Sequence, residues 1–266
     1  MTQSRENVLA EREGRVLRLT LNRPDKGNAI SVPLARDLMH AVIEASEDSG
    51  VRCVLLTGAG RLFCAGGDIA EFSGAGDGIS RYLKELTSYM HSAITHMLRM
   101  PKPLVTAING PTAGAGVSLA ILGDIALASD AAHFTMGYGA IGLSPDCGST
   151  WYLPRVVGLR RAQEMTLLNE RVSAERAAEM GLVTRSVKQD ELADEAMLIA
   201  QKLATGPVRA LGRTRALLQT AYGSTIETHM EEEAAAIAAS GGDPEGREGV
   251  ASFLERRKPD FLNKAP

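Results

Sequence analysis

The chain has 266 residues, 44% of them apolar and 23% charged, the balance of a soluble globular protein with a sizeable core. A net charge of -3 and an aromatic content of 4% exclude the basic field and the stacking platforms on which nucleic-acid binding depends. No run of about 18 apolar residues is present, so no membrane span is expected.

The opening "MTQSRENVLAEREGR" is charged and lacks the apolar stretch of a signal peptide. "RVLRLTLNRP" alternates apolar and polar residues and predicts a strand that stops at Pro24. "SVPLARDLMHAVIEASED" has apolar residues at helical spacing, with Ser31 placed to cap it. "VRCVLLTG", "LVTAING" and "DIALAS" predict three short buried strands. Between them, "ISRYLKELTSYMHSAITHMLRM" predicts a long helix and "GAGVSLAILG" a short apolar one. Strands alternating with helices imply right-handed βαβ units with parallel pairing. After about Ala162 the pattern turns helical, through "SAERAAEMG", "DELADEAMLIAQKLATG", "PVRALGRTRALLQTAYG" and "TIETHMEEEAAAIAAS". One strand, "LVTRSV", interrupts these helices, and "GGDPEGREG" reads as a loop and helix start. Cys53, Cys64 and Cys147 are odd in number and form no CxxC pair, so a reduced, cytoplasmic setting is expected.

Two stretches bring glycines to probable strand ends: "GRLFCAGGDIAEF" and "INGPTAGAGVSLA". Small residues there let a ligand approach the backbone. The second stretch also offers free N–H groups at a helix N-terminus, where negative charge is stabilised. A pair of such groups could hold an oxyanion; tight helix–strand packing explains the same glycines. "GYGAIG" matches GxGxxG in form, but Ser144-Pro145 follows it where a dinucleotide fold needs a helix. GxxxxGK[ST], HExxH and GxSxG are absent. His91 and His96 are five residues apart on one helix and do not share a face. In "GLSPDCGSTWYLPR", Asp146 stands before a helical stretch and taken alone reads as a turn or helix-capping residue.

Together these stretches resemble the crotonase family, the enoyl-CoA hydratases and isomerases. The resemblance rests on "LNRPDKGNAIS", "GRLFCAGGDIAEF", "PKPLVTAINGPTAGAGVSLAILGDIALASDAAHF", "GLSPDCGSTWYLPRVVG", "SAERAAEMGLV" and "FLERRKPDF". It implies an α/β fold: a spiral of ββα units over 1–200 and a C-terminal helical trimerisation region over 201–266. It also implies an acyl-CoA substrate, a homotrimer or hexamer, and neither metal nor redox cofactor, coenzyme A being part of the substrate. The shared chemistry runs through a thioester enolate held by two backbone N–H groups, here those of Gly67 and Ala115. Alanine replaces the family's usual glycine at 115 and supplies the same donor if its backbone angles allow. Ala65, Asp68 and Ile69 are expected to line the thioester and pantetheine, and Arg23 and Lys26 are candidates for the CoA phosphates.

The sequence departs from the hydratase pattern at both glutamates that handle water and the α-proton. Ser118 stands at the first position and Tyr138 at the second. Neither is a good base at neutral pH. Asp146 remains, at the position where isomerase members keep an aspartate that shuttles a proton between carbons. The stretch around it is most like the 1,2-epoxyphenylacetyl-CoA isomerase group, of phenylacetate breakdown, with fatty-acid enoyl isomerases as near neighbours. An isomerase is therefore expected, with Ser118, Tyr138 and His91 beside the acyl group. The alternatives are an enoyl-CoA hydratase, a non-catalytic acyl-CoA binder, or an aryl-CoA dehalogenase. In the last, Asp146 would be a nucleophile and His91 would match the family's helix histidine; His91 also reads as an ordinary helix-surface residue.

Overall fold

The first two strands, β1 (Val8–Glu13) and β2 (Val16–Leu21), form an antiparallel hairpin in a computed structural model that describes residues 5–263. The sequence reading has no counterpart for β1. Only Val8 of this edge strand is buried, so it carries little apolar alternation. Its polar face is tied by charge instead, through Arg18 to Glu11 and Glu13.

Four further strands extend the sheet in parallel: β3 (Cys53–Gly58), β4 (Leu104–Ile108), β6 (Ile125–Ser129) and β9 (Arg185–Val187). The order is β1-β2-β3-β4-β6-β9. A small second sheet joins β5 (Thr112–Ala113), β7 (His133–Thr135) and β8 (Val172–Ser173). Strands of two or three residues carry no periodicity, so these escape a sequence reading.

The main sheet is covered on both faces, which explains its continuous apolar runs. On one face Val54 and Leu56 pack with α1 (Val32–Glu47) and α3 (Ile79–Arg99). On the other, Cys53 and Leu55 meet α8 (Leu192–Ala204), whose stripe of Ala196, Ala200 and Ala204 has i,i+4 spacing. Ser31 does cap α1: its side chain accepts from the Leu34 N–H at 3.3 Å. Short helices α2 (Ile69–Gly74), α4 (Ala115–Ile121), α5 (Ser149–Val157), α6 (Leu159–Gln163) and α7 (Ala174–Glu179) link the layers. After α8 come α9 (Val208–Thr220), α10 (Ile226–Gly242) and α11 (Pro244–Leu254). Residue 200, where the sequence reading divides the chain, lies inside α8 and against the sheet. Among the described residues no helix is long and apolar enough to cross a membrane.

A buried ion pair ties the last helices to the sheet. Arg52, at the entry to β3, donates to the Ala204 and Gly206 carbonyls at 2.7 Å each and to Glu245 at 2.9 Å. Glu245 also accepts from the Arg209 N–H at 3.0 Å. Arg52→Ala would strand Glu245, which is only 2% exposed, without its countercharge. Such a loss is expected to lower stability by about 3–5 kcal/mol, measured by chemical denaturation.

Candidate active site

The two glycine stretches lie side by side. The Cys64 and Ile30 segments bridge to Thr112 and Gly67, and the Ala113 N–H donates to the Cys64 carbonyl at 2.9 Å. Asn28 braces the first stretch. It is fully buried at a φ of +56°, and its amide donates to the carbonyls of Ala59, Leu62 and Phe63. The sequence reading passed over Asn28. Its one signal is the residue type, since asparagine tolerates left-handed backbone better than most.

Two structural constraints act on the glycines, each at a different residue. Packing requires Gly116, where a Cβ would meet the Cys64 carbonyl oxygen at 2.4 Å. Backbone angle requires Gly114, at φ +52° and ψ −128°, a conformation closed to L side chains. Next to it, Ala115 opens α4 as its first helical residue. Ala115 is absent from the positive-φ set, so alanine is compatible there. The N–H groups of Gly67 and Ala115 find no hydrogen-bond acceptor among the described residues. Both residues line one cavity of about 360 Å³.

The rest of that cavity is mostly apolar. Phe72, Leu83, Leu86, Met90, Ile141 and Leu143 form its walls. Leu83, Leu86, Thr87 and Met90 recur at i, i+3, i+4 and i+7 along α3, a face legible in the sequence but not singled out there. Ala65 and Ile69 also lie on the wall. Among the described lining residues, Asp146 is the single carboxylate, and no lysine or arginine accompanies it.

The capping reading of Asp146 is overturned. Helix α5 is preceded by Gly148 and receives no side-chain cap. Asp146 meets that helix through its carbonyl, which accepts from the Ser149 N–H at 3.0 Å and its hydroxyl at 2.9 Å. Left-handed Cys147 (φ +53°) and Gly148 (φ +73°) turn the chain between them. The carboxylate instead accepts from the Tyr138 hydroxyl at 2.5 Å. Burial first, then the Asp146 charge, push the Tyr138 phenol well above its ordinary value, so it stays a donor. The same two causes push the Cys147 thiol up. Burial pushes Cys64 up to about 12. Neither thiol is an activated nucleophile.

The other candidates fall in different places. His91 is exposed on α3, yet its Nε2 accepts from the Cys147 N–H at 3.3 Å, so it abuts the Asp146 loop. His91, Asp146 and Cys147 each offer one ligand atom within 4.8 Å of the others, the N, O and S donors that zinc takes. Two of these groups already take part in hydrogen bonds, Nε2 accepting from the Cys147 amide and one carboxylate oxygen from Tyr138. Ser118 is buried in α4 away from the cavity lining, and its hydroxyl has no partner among the described residues. Asp68 turns from the cavity: it caps α2 through the Ala70 and Glu71 N–H groups and pairs with Arg23 at 3.0 Å. Arg23 is thereby committed to the fold, and Lys26 is exposed on a short 3-10 turn, Pro24–Lys26.

Residues 11–264 match the model of the enoyl-CoA hydratase/isomerase family. The chain belongs to that family. It is 38% identical to the 1,2-epoxyphenylacetyl-CoA isomerase of Escherichia coli, over 97% of this chain and 99% of the relative. It is 32% identical to a 4-chlorobenzoyl coenzyme A dehalogenase of an Arthrobacter species, over 96% and 93% of the two chains. The crystal structure of an enoyl-CoA hydratase from a Polaromonas species superposes with a TM-score of 0.91 at 31% identity, covering 95% and 98%. The crotonase fold expected from the sequence is thus the fold of this family member. Its relatives include an isomerase, a dehalogenase and a hydratase, so the family by itself leaves the reaction open.

Proposed function

We propose that this family member is a coenzyme A thioester isomerase, relocating a proton or rearranging an epoxide through an enolate. The observation that carries the reading is the single carboxylate, Asp146, on a cavity that also presents the Gly67 and Ala115 amides. Asp146 is the acid/base and the two amides hold the enolate oxygen. A 1,3-proton shift needs one carboxylate. Hydration through the family's two glutamates needs carboxylates where this chain has Ser118 and Tyr138. The cavity walls favour an apolar acyl group, since the described lining residues include no lysine or arginine to meet a distal carboxylate. Breakdown of phenylacetate or fatty acids is the setting this reading implies. Exposed Leu218, Tyr222, Ile226 and Met230 on and between α9 and α10 suit the contact of a trimer or hexamer.

One observation favours a second reading. His91 touches the Asp146 loop, as a dehalogenase that uses Asp146 as nucleophile would want. The Tyr138 hydroxyl weighs against it, because a strong donor on a carboxylate blunts its nucleophilicity. Product mass separates the readings. Purified protein is offered a β,γ-enoyl-CoA, ring-1,2-epoxyphenylacetyl-CoA, an α,β-enoyl-CoA and 4-chlorobenzoyl-CoA. Isomerisation is expected, giving a product of unchanged mass from the first or second. A product heavier by one water, or released chloride, would replace the reading with hydratase or dehalogenase. Binding without turnover would make the protein an inert acyl-CoA binder.

A further inference from the structure

The two oxygens of Asp146 are not equivalent. Tyr138 Oη donates to Oδ1 in a short, strong hydrogen bond of 2.5 Å, and the only other side-chain donor to the carboxylate among the described residues is the Cys147 thiol, a weak one. Tyr138 is itself held on both sides of its backbone. Its N–H donates to the Met136 carbonyl at 2.9 Å, and its carbonyl accepts from the Ile141 and Leu143 N–H groups at 3.1 Å. Asp146 is pinned in turn by the Ser149 contacts at the start of α5. Two independently anchored segments therefore meet at one short hydrogen bond inside the cavity.

We infer that Tyr138 is a positioning residue that fixes Oδ1 and leaves Oδ2 as the oxygen that carries the migrating proton. This rests on the isomerase reading above. In the first half-step a substrate C–H bond breaks, its electron pair enters the thioester enolate, and the proton bonds to Oδ2. In the second, the Oδ2–H bond breaks and the proton joins the other carbon. Atoms and charge balance over the cycle, and Tyr138 keeps its own proton throughout. Burial keeps the phenol protonated, as this role needs. A single oxygen on a fixed carboxylate also keeps both transfers on one face of the acyl chain.

The position vacated by a glutamate thus gains a different task. A hydrogen bond donated to a charged carboxylate favours the charged form. Tyr138→Phe removes it, so the active form of the enzyme is expected only at higher pH. The acidic limb of kcat/KM for isomerisation is expected to move up by about one pH unit, with kcat falling about tenfold and KM staying within about twofold. The groups facing Asp146 are Tyr138, Cys147 on its own loop, and His91 from α3. The same shift is expected in a His91→Gln background, which removes the imidazole as its source. A limb that stays in place in Tyr138→Phe, or a shift that vanishes in the His91→Gln background, overturns the assignment. If Tyr138→Phe does not fold, 3-fluorotyrosine at 138, a stronger donor, is expected to move the limb down; no movement then overturns it. Asp146→Asn keeps the two levels apart. Full turnover in that variant would sink the isomerase reading itself, whereas lost turnover with an unmoved Tyr138→Phe limb would sink only the positioning role.

Discussion

Asp146→Asn is expected to lower isomerase turnover by about 10²–10⁴-fold with little change in KM. The substitution is nearly isosteric. The amide oxygen can still accept from Tyr138, and the Asp146 carbonyl contacts with Ser149 do not involve the side chain. The site should therefore keep its shape and lose only the ability to take up a proton. On the proposed reading, acyl-CoA binding rests on the apolar walls and the glycine stretches, and the substitution leaves those residues unchanged. The loss should appear in kcat, measured by steady-state kinetics on a β,γ-enoyl-CoA and on the epoxide. A variant with full turnover would return Asp146 to the role of a turn residue.

The second large effect is expected at the proposed oxyanion site. Ala115→Pro deletes one amide donor and should lower kcat by about 10²–10³-fold. The substitution suits the fold at this place. Residue 115 is the first of α4, where proline is well tolerated because that N–H has no helical partner. Steric conflict with the preceding residue comes largely from its Cβ, and that residue is Gly114. Circular dichroism and thermal melting should show a folded protein. Ala115→Gly keeps the amide and loses only the methyl, so the gap between the two variants reads the donor. Wild-type kcat in a folded Ala115→Pro variant would remove Ala115 from the site.

Both experiments address residues that stand out in the sequence. They do so for different reasons. Gly67 and Ala115 sit in stretches whose small residues announce close backbone approach, and the structure brings both to one cavity. Asp146 stands out by elimination, since both hydratase glutamate positions hold other residues. Its local setting was misleading. "PDCGST" reads as a capped helix start, and the cap fails because Cys147 adopts a left-handed φ of +53°. Such a φ is uncommon for cysteine and leaves no mark in the sequence. Asp68 lies in the motif expected to line the thioester, and its carboxylate is spent on α2 and Arg23.

The family, the parallel strand–helix core, the capped α1, the two glycine stretches and the lone acid are legible in the residues alone. These are written in contiguous residues, as periodicity, turn chemistry and ordered motifs, so they can be read without knowing what packs against what. How those parts are held and aimed depends on the folded packing. Strand β1 is an edge and its polar residues conceal it. Arg52 and Glu245 lie 193 positions apart, and His91 and Cys147 lie 56 apart. Tyr138 and Asp146 are only eight apart, but their hydrogen bond depends on a left-handed turn and two anchored segments. A hydrogen bond forms over about 3 Å of space, and where two side chains come that close is settled by the packing of the whole chain.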